Sequence, residues 1–324
     1  MSQSITAHGG ALGVQAPRVV VLGGTGFVGR YLTRALVAAG YAVTIPTRHS
    51  ARHRDMQLWR GVRLVDGSAP AASDWATPRA AAPLSAVMAG HAVLVNLVGI
   101  LNERGHDGRG FAAAHVRFTQ QALTAAHEAG IPRYLHMSAL QADAERGTSF
   151  YLRSKGAAED WAHAFGAAQG IAVTSFRPSV IFGAEDAFLN RFARLAALMP
   201  GIFPLACAEA RFAPVFVGDV ASVMVRAIRD QNSVGQRLDL CGPTQYSLRA
   251  LVAYAAAAAG HPRWVIGLPD WAARLQARLL ERVPGQPFTR DNFASLQIPS
   301  VCPPGCAPQP TTLESVAPGY LRAR

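Results

Sequence analysis

The sequence of 324 residues predicts an α/β fold with a doubly wound parallel sheet. Short stretches rich in Val, Ile and Leu alternate with stretches of helical length and periodicity, which is typical of repeated βαβ units. The first apolar stretch, Arg18-Val-Val-Val-Leu22, leads directly into the glycine-rich segment Gly23-Gly-Thr-Gly-Phe-Val-Gly29. This order of strand, glycine-rich turn and helix indicates a Rossmann-type nucleotide-binding unit.

The first apolar stretch has no polar alternation, which indicates a parallel strand that is buried on both faces. The predicted strands span residues 18–22, 42–47, 62–65, 92–97, 134–138, 172–177 and 237–240. The predicted helices between them span residues 30–39, 111–129, 151–168 and 217–230. Gly40 follows the first helix, in the position where glycine commonly ends a helix.

The alternation stops near residue 178, so the chain is predicted to have three parts. Residues 1–16 form a flexible tail, and residues 17–178 form an NAD(P)-binding Rossmann core. Residues 179–324 form a mixed region that returns one helix and one strand, at about 215–241, to the core and builds a small substrate-binding lobe. Helices are predicted in this lobe at 189–199, 248–259 and 271–282, and an Ala/Pro-rich surface loop is predicted at 69–82.

The charge of the chain is strongly positive and is carried almost entirely by arginine. Thirty arginines and one lysine give a net charge of +11. This charge fits a general arginine bias, attraction to an anionic membrane or acidic partner, or nucleic-acid binding. The arginines are scattered and accompany no nucleic-acid motif, so we predict a small-molecule substrate, no nucleic-acid partner, and peripheral contact with a membrane or membrane complex as a further option.

The first 16 residues lack the basic and apolar regions of a signal peptide, and no apolar run has transmembrane length. We therefore expect a cytoplasmic protein, with the inner membrane face as an alternative site, and cysteines that remain free thiols. The segment Cys302-Pro-Pro-Gly-Cys306 lacks the further ligands that zinc needs, so no metal site is predicted.

The glycine-rich segment is a candidate dinucleotide site. Gly23 permits a sharp turn, Gly26 lets the backbone approach a pyrophosphate, and Gly29 permits close packing of helix on strand. After the second strand, Pro46-Thr-Arg-His49 contains no carboxylate for a ribose hydroxyl, whereas Arg48 is suited to a 2′-phosphate. We therefore predict NADP(H) as the preferred cofactor and NAD(H) as the alternative; a solvated Arg48 is the competing interpretation.

The single lysine, Lys155, lies four residues after Tyr151, so both side chains share one face of a predicted helix. An ammonium group there would lower the pKa of the phenol, as a general acid or base requires. Ser138 ends a predicted strand 13 residues before the tyrosine. The order Ser138, Tyr151, Lys155 is a candidate catalytic set.

With these motifs, the chain resembles the short-chain dehydrogenase/reductase superfamily in its extended and atypical branch. It is more narrowly similar to bacterial homologues of the NAD(P)H-binding accessory subunit of mitochondrial complex I, over about residues 17–300. The stretches that carry the resemblance are Gly23-Gly-Thr-Gly-Phe-Val-Gly29, Asn96-Leu-Val-Gly99, Tyr134-Leu-His-Met-Ser-Ala-Leu140, Tyr151-Leu-Arg-Ser-Lys155, Arg177-Pro-Ser-Val-Ile-Phe-Gly183 and Val215-Phe-Val-Gly-Asp219.

The resemblance implies a role for each matching residue. Tyr151 would exchange the proton, Lys155 would hold the nicotinamide ribose, and Ser138 would orient the reacting oxygen. The other implied cofactor contacts are Gly23, Thr25, Gly26, Phe27 and Val28 at the pyrophosphate, Asp66 at the adenine, Leu97 and Val98 along the cofactor, and Pro178, Ser179 and Val180 at the nicotinamide. The chain departs from the family at His115, where many relatives have a proton-relay asparagine.

Structural alternatives remain open at several of these positions. Ser138 is also suited to capping a strand end, Asp66 precedes a glycine as in turns, and Asn96 is suited to satisfying backbone groups. His115 and His136 favour structural roles.

Two functions follow from the resemblance. One is an NAD(P)H-dependent oxidoreductase that acts on a carbonyl or hydroxyl of a lipophilic, quinone-related or nucleotide-sugar substrate. The other is a nucleotide-bound structural or assembly protein on a respiratory or quinone-synthesis membrane complex. The segment 271–282, in which Trp271, Leu275 and Leu279 alternate with arginines, fits an interfacial helix or an ordinary surface helix with one face on the core.

Overall fold

A computed structural model describes residues 16–66 and 81–322. The strands are β1 (Arg18–Leu22), β2 (Ala42–Thr47), β3 (Val62–Asp66), β4 (Val93–Asn96), β5 (Arg133–Met137), β6 (Ala172–Pro178), β7 (Ile181–Phe182), β8 (Ile202–Leu205), β9 (Arg211–Phe212), β10 (Val215–Phe216), β11 (Arg237–Leu240), β12 (Tyr246–Ser247) and β13 (Trp264–Gly267).

The helices are α1 (Phe27–Ala38), α2 (Arg54–Gln57), α3 (Ala81–Met88), α4 (Arg109–Phe111), α5 (Phe118–Glu128), α6 (Phe150–Gln169), α7 (Leu189–Leu198), α8 (Val217–Ala227), α9 (Leu248–Ala258), α10 (Asp270–Leu280), α11 (Arg290–Ser295), α12 (Leu313–Val316) and α13 (Pro318–Leu321). A π-helical segment, Ala112–Arg117, joins α4 to α5, and short 3₁₀ turns occupy Ser50–His53 and Gln231–Ser233.

Seven strands form one parallel sheet in the order β11-β6-β5-β4-β1-β2-β3. The order reverses direction between β1 and β4, which is the switch point of a doubly wound fold. The predicted Rossmann-type sheet is confirmed. At the switch point the carboxyl ends of neighbouring strands open a crevice, and the glycine-rich turn lies there because it directly follows β1.

The surroundings of β1 explain why its sequence is continuously apolar. Val19 and Val21 pack in the cluster that contains α1 and α8, whereas Val20 and Leu22 pack in the cluster that contains α3, α5 and α6. Helices therefore cover both faces of the sheet, and neither face of β1 is left for polar side chains.

The later part of the chain has a second apolar cluster. Residues of α7, α9, β8 and β13 form it around the buried side chains of Phe182, Phe203 and Leu251. The helix α8 packs back on the main sheet, and β11 pairs in parallel with β6 at its edge. Of the predicted tail 1–16, only residue 16 belongs to the described residues. Of the predicted loop 69–82, only residues 81 and 82 do, and they already belong to α3, which begins at Ala81.

The expectation of four free thiols is wrong for one pair, because Cys241 and Cys302 form a disulfide across 61 residues of sequence. Cys241 directly follows β11. Backbone hydrogen bonds from Gly242 to Ala213 and from Ala213 to Ser300 bring the second cysteine alongside. This pairing depends on the tertiary fold, so the cysteine spacing did not reveal it. Cys207 and Cys306 remain free.

The described residues contain neither a membrane-spanning helix nor a metal-binding cluster. Within residues 16–66 and 81–322, none of the helices combines the length and apolar character needed to cross a bilayer. In the same ranges, the His, Cys, Asp and Glu side chains form no cluster of three or more that is suited to a metal ion.

Candidate functional site

The glycine-rich turn forms a cradle at the start of α1. Gly26 N–H donates to the Gly23 carbonyl at 3.1 Å, and Gly23 has the left-handed φ of +76° that favours glycine. A Cβ on Gly29 would collide with the carbonyl oxygens of Gly23 and Gly24, so only glycine lets the helix pack this closely. Gly26 is the exposed N-cap and offers no capping side chain. The first N–H groups of α1 are thus suited to an anion such as a pyrophosphate.

Leu97 and Val98 lie against this cradle from the adjacent strand β4. A Cβ on Gly23 would lie 3.2 Å from the carbonyl carbon of Leu97 and 3.3 Å from the nitrogen of Val98. Asn96 fixes this segment, since its Oδ1 accepts from Val98 N–H at 3.0 Å and its Nδ2 donates to Tyr134 Oη and to Thr119. These contacts fit the structural interpretation of Asn96, in which its side chain satisfies backbone groups.

The remaining residues of the turn line the same crevice. Thr25, Phe27 and Val28 are half-buried. The Phe27 ring packs edge-on to Tyr31 at 5.8 Å, and a Cβ on Gly183 would lie 3.2 Å from it. This contact joins the turn after β1 to the segment after β7, so the crevice has an aromatic wall.

At the far end of the crevice, Arg48 is exposed directly after β2. Asp66, predicted to contact adenine, accepts hydrogen bonds from the Ser50 N–H at 2.9 Å and the Ser50 hydroxyl at 2.6 Å. Both bonds lower the pKa of Asp66. Asp55 pairs with Arg30. Asp66 therefore anchors the loop after β2 while the Arg48 side chain faces solvent.

Ser138 lies one residue beyond β5, at the carboxyl edge of the sheet. Its N–H donates to the Phe176 carbonyl at 2.8 Å, which continues the pairing of β5 with β6. Its hydroxyl is buried and has no hydrogen-bond partner among the described residues. A buried hydroxyl without a partner is costly, and a substrate oxygen would supply the missing hydrogen bond.

Tyr151 lies in the first turn of α6, which Ser149 caps by accepting from Leu152 N–H at 3.1 Å. The rings of His115 and Phe111 pack against it at 5.6 and 6.0 Å. Burial and then the charge of Asp291 raise the pKa of Tyr151 to about 12. This is the opposite of the lowering that we expected from Lys155.

Lys155 lies one helical turn further and is buried. Its Nζ donates to the Met137 carbonyl at 3.0 Å, beside Ser138. Burial lowers the pKa of Lys155 to about 8, and Glu159 opposes that shift. A Cβ on Gly99 would lie 3.0 Å from Nζ, so the lysine lies close to the backbone that follows β4.

Both ring nitrogens are engaged in His115, the residue found where the resemblance implied a relay asparagine. Nε2 accepts from Ile100 N–H at 3.1 Å, so Nδ1 carries the proton and donates to Ser154 Oγ at 2.8 Å. Burial and then the charge of Lys155 hold the pKa of His115 well below its usual value. These contacts fit the structural role that the sequence favoured for His115. His136 is also buried, and its Nδ1 meets Tyr134 Oη at 3.1 Å.

Pro178, Ser179 and Val180 follow the same edge after β6. Leu140 N–H donates to the Pro178 carbonyl at 3.0 Å, which keeps this segment next to the Ser138 loop. The Ser179 hydroxyl donates to the Ser300 carbonyl at 2.7 Å and is therefore not free for a cofactor. Val180 packs on the apolar cluster of the later chain.

Asp291 is a site residue that the sequence did not indicate. Its carboxylate accepts from the N–H groups of Phe150 and Tyr151 at the start of α6, although it lies 140 residues beyond the tyrosine. It lines a cavity of about 170 Å³ next to Phe111, together with Glu103 and Arg153.

Comparison with known proteins identifies the family of the chain. The sequence profile of the NAD dependent epimerase/dehydratase family matches residues 19–241. The chain belongs to this family. The match covers the glycine-rich cradle, Ser138, Tyr151 and Lys155, and the predicted resemblance to the extended branch of the short-chain dehydrogenases/reductases is confirmed.

Curated relatives of this family member carry two kinds of name. NADH dehydrogenase [ubiquinone] 1 alpha subcomplex subunit 9 is 34% identical in Arabidopsis thaliana, over 75% of this chain and 58% of that protein. The Mus musculus protein of the same name is 31% identical, over 97% of this chain and 82% of that protein. A ceramide reductase of Caulobacter vibrioides is 32% identical, over 65% of this chain and 61% of that protein.

Solved structures of the family share the fold. UDP-glucuronic acid 4-epimerase of Bacillus cereus, solved with UDP-glucuronic acid and NAD, superposes with a TM-score of 0.67 at 18% identity, over 94% of this chain and 98% of that one. UDP-glucose 4-epimerase of Thermus thermophilus, solved with NAD, gives a TM-score of 0.63 at 17% identity, over 86% of this chain and 99% of that one. The chain therefore has the NAD(P)-binding fold of this family.

Proposed function

We propose that the protein is an NADP(H)-dependent oxidoreductase that transfers hydride to or from a carbonyl or hydroxyl carbon. The observation that carries the proposal is the partnerless buried hydroxyl of Ser138 on the same sheet edge as Tyr151 and Lys155. The cofactor would supply the hydride. Ser138 would bind the reacting oxygen, Tyr151 would exchange its proton, and Lys155 would anchor the nicotinamide ribose.

The exposed Arg48 supports a preference for NADP(H) over NAD(H). It is free to form charge-assisted hydrogen bonds with a 2′-phosphate, and the nearby carboxylates of Asp55 and Asp66 are engaged by Arg30 and Ser50. The cradle of Gly23, Gly26 and Gly29 would take the pyrophosphate, and residues 179–324 would supply the lobe that covers the substrate.

A lipophilic carbonyl compound is the substrate class that we favour. One relative is named a ceramide reductase, and in the later apolar cluster, against which Val180 also packs, the Phe188 ring contacts the rings of Phe192 and Phe212. Quinone-related compounds belong to the same class, and nucleotide sugars are the competing class.

A second candidate is a nucleotide-bound structural protein of a membrane complex. It is favoured by the relatives that are named mitochondrial complex I subunits, of which the mouse protein matches 97% of this chain. On this proposal the same cradle and Lys155 would hold the nucleotide permanently, and the protein would attach peripherally at the inner face of the membrane.

One experiment separates the two candidates. The nucleotide that copurifies with the protein is identified by mass spectrometry, and NADPH consumption is then followed against a panel of lipophilic ketones, quinones and nucleotide sugars. The oxidoreductase proposal expects turnover that Tyr151→Phe reduces at least about a hundredfold while NADPH still binds. Full activity of Tyr151→Phe, or tight binding without turnover of any class, contradicts it.

A further inference from the structure

The helix α10 exposes its large apolar residues and buries its small ones, which is the reverse of an ordinary surface helix. Its large apolar residues Trp271, Leu275 and Leu279 follow one another at four-residue spacing, and Trp271 is 71% exposed. The small residues Ala273 and Ala277, 1% and 0% exposed, are the ones that pack on the protein. A surface helix normally turns its larger apolar side chains toward the core. The ordinary-helix interpretation would bury the Trp271 stripe, and the structure exposes it.

The neighbouring strand pair also exposes large apolar side chains. In the parallel pair of β8 and β13, Trp264 lies opposite Ile202, and both side chains are exposed while Phe203 and Val265 are buried. Gln276 of α10 reaches the Pro204 carbonyl of β8 at 3.5 Å, so helix and strands adjoin. Nothing in the described ranges covers this surface. We call it the docking face, composed of Ile202, Trp264, Ile266, Trp271, Leu275 and Leu279.

The charges beside the docking face are mainly positive. Arg274, Arg278 and Arg282 form a second stripe at four-residue spacing on exposed positions of the same helix and its end. Glu281 does not neutralise them, because it is buried and binds Arg290 at 2.9 Å. The remaining acid of the segment, Asp270, is confined to the first residue of α10.

We propose that the docking face binds the surface of a bilayer that contains anionic phospholipids. Tryptophan is enriched at membrane interfaces, and arginine can bury its aliphatic stem while its guanidinium contacts a phosphate. A helix with large apolar residues next to a basic stripe lies in the plane of such an interface. A second copy fits less well, since a two-fold axis through the face would bring the same arginines together. The proposal does not depend on turnover at Tyr151.

The test is cosedimentation of the full chain with vesicles of phosphatidylcholine alone or mixed with phosphatidylglycerol. We expect binding to the mixed vesicles that weakens as sodium chloride is raised. Arg278→Gln combined with Arg282→Gln should weaken binding roughly 25-fold, because each arginine near an anionic surface contributes about fivefold. Trp271→Ser combined with Leu275→Ser should weaken it at least about tenfold.

Matched controls distinguish binding through the docking face from nonspecific electrostatic or hydrophobic binding. Arg60→Gln combined with Arg226→Gln removes the same charge from exposed positions elsewhere, and Leu58→Ser removes an apolar side chain that is 87% exposed. Both should bind like the unmodified protein. Equal binding to both vesicle types, or equal loss in the controls, overturns the proposal. A dimer in analytical ultracentrifugation that the Trp271 variant abolishes would assign the face to a second copy and also overturn it.

Discussion

The carboxylate of Asp291 accepts a hydrogen bond from the backbone N–H of Tyr151 at 3.3 Å, and it also accepts one from Phe150 at 2.7 Å. One acidic side chain of α11 thereby satisfies two free N–H groups at the start of the helix that carries the candidate catalytic tyrosine. Its negative charge also raises the pKa of the Tyr151 phenol. Asp291 is thus a positioning residue with an electrostatic effect on the site.

Replacing Asp291 by Asn removes the charge and retains one oxygen acceptor. The pKa of Tyr151 should fall from about 12 toward its ordinary value, because a negative neighbour no longer opposes the phenolate. In the direction of alcohol oxidation, which needs the phenolate, the rising limb of the pH–rate profile should move to lower pH. Asp160→Asn is the control, because Asp160 is exposed on α6, the helix that carries Tyr151. This change should leave the profile unchanged. Lower activity with an unmoved profile would restrict Asp291 to a structural role.

Ser138→Ala should separate activity from stability. Loss of the hydroxyl that binds the reacting oxygen is expected to lower kcat by about a hundredfold or more. The same change removes a buried hydroxyl without a partner, so the free energy of unfolding should rise by about 1 kcal/mol. Ser154→Ala is the matched control: its hydroxyl meets His115 at 2.8 Å and the Tyr151 carbonyl at 2.9 Å, so its loss should destabilise the fold. Chemical denaturation and steady-state rates give both quantities.

Lys155→Arg should weaken NADPH binding although the charge is kept. The ammonium fits between the Met137 carbonyl and the backbone at Gly99, where even a Cβ would lie 3.0 Å from Nζ. A planar guanidinium is larger and needs a different donor geometry. We expect the dissociation constant for NADPH to rise at least about tenfold in a fluorescence titration, whereas Arg226→Lys on α8 changes nothing. An unchanged constant in the Lys155 variant would remove the lysine from the cofactor site.

Lys155→Met should stabilise the protein at neutral pH. The pKa of Lys155 is about 8 in the folded protein against 10.5 for an ordinary lysine, a difference of about 3 kcal/mol. Between about pH 8 and pH 10.5 the unfolded chain binds more protons than the folded protein. The buried ammonium therefore lowers the free energy of unfolding by its full amount below about pH 8, and this destabilisation disappears as the pH rises toward 10.5. Allowing for the lost bond to Met137, we expect a gain of about 2 kcal/mol at pH 7 that shrinks by pH 10. If the free energies of unfolding of the variant and the unmodified protein differed by the same amount at every pH, Lys155 would not be a buried, charged lysine.

Arg48→Ala should discriminate between the two nicotinamide cofactors. Loss of charge-assisted hydrogen bonds to a 2′-phosphate is expected to weaken NADPH binding by about ten- to a hundredfold and to leave NADH binding unchanged. Arg52→Ala, also exposed and four residues further along, serves as the control. Equal losses for both cofactors in a calorimetric titration would argue that Arg48 is a solvated surface charge.

The sequence alone determined the features that depend on neighbours a few residues apart. Apolar runs located β1 and β2 to the residue, because a strand buried on both faces leaves no position for polar alternation. The glycine-rich segment indicated a tight turn before a helix, and the four-residue spacing placed Tyr151 and Lys155 on one helix face. The sequence did not predict the π-helical segment around His115, for which the local sequence gives no periodic signal.

Only the tertiary structure decided the features that join distant parts of the chain. It directs Lys155 to the Met137 carbonyl, brings Asp291 to the start of α6, pairs Cys241 with Cys302, and turns the apolar stripe of α10 outward. These outcomes depend on which elements pack together, and helical or strand periodicity constrains only the face that a residue shares with its near neighbours. Periodicity therefore identified the stripe of α10, whereas the contact of Ala273 and Ala277 with the lobe determined that the stripe faces solvent.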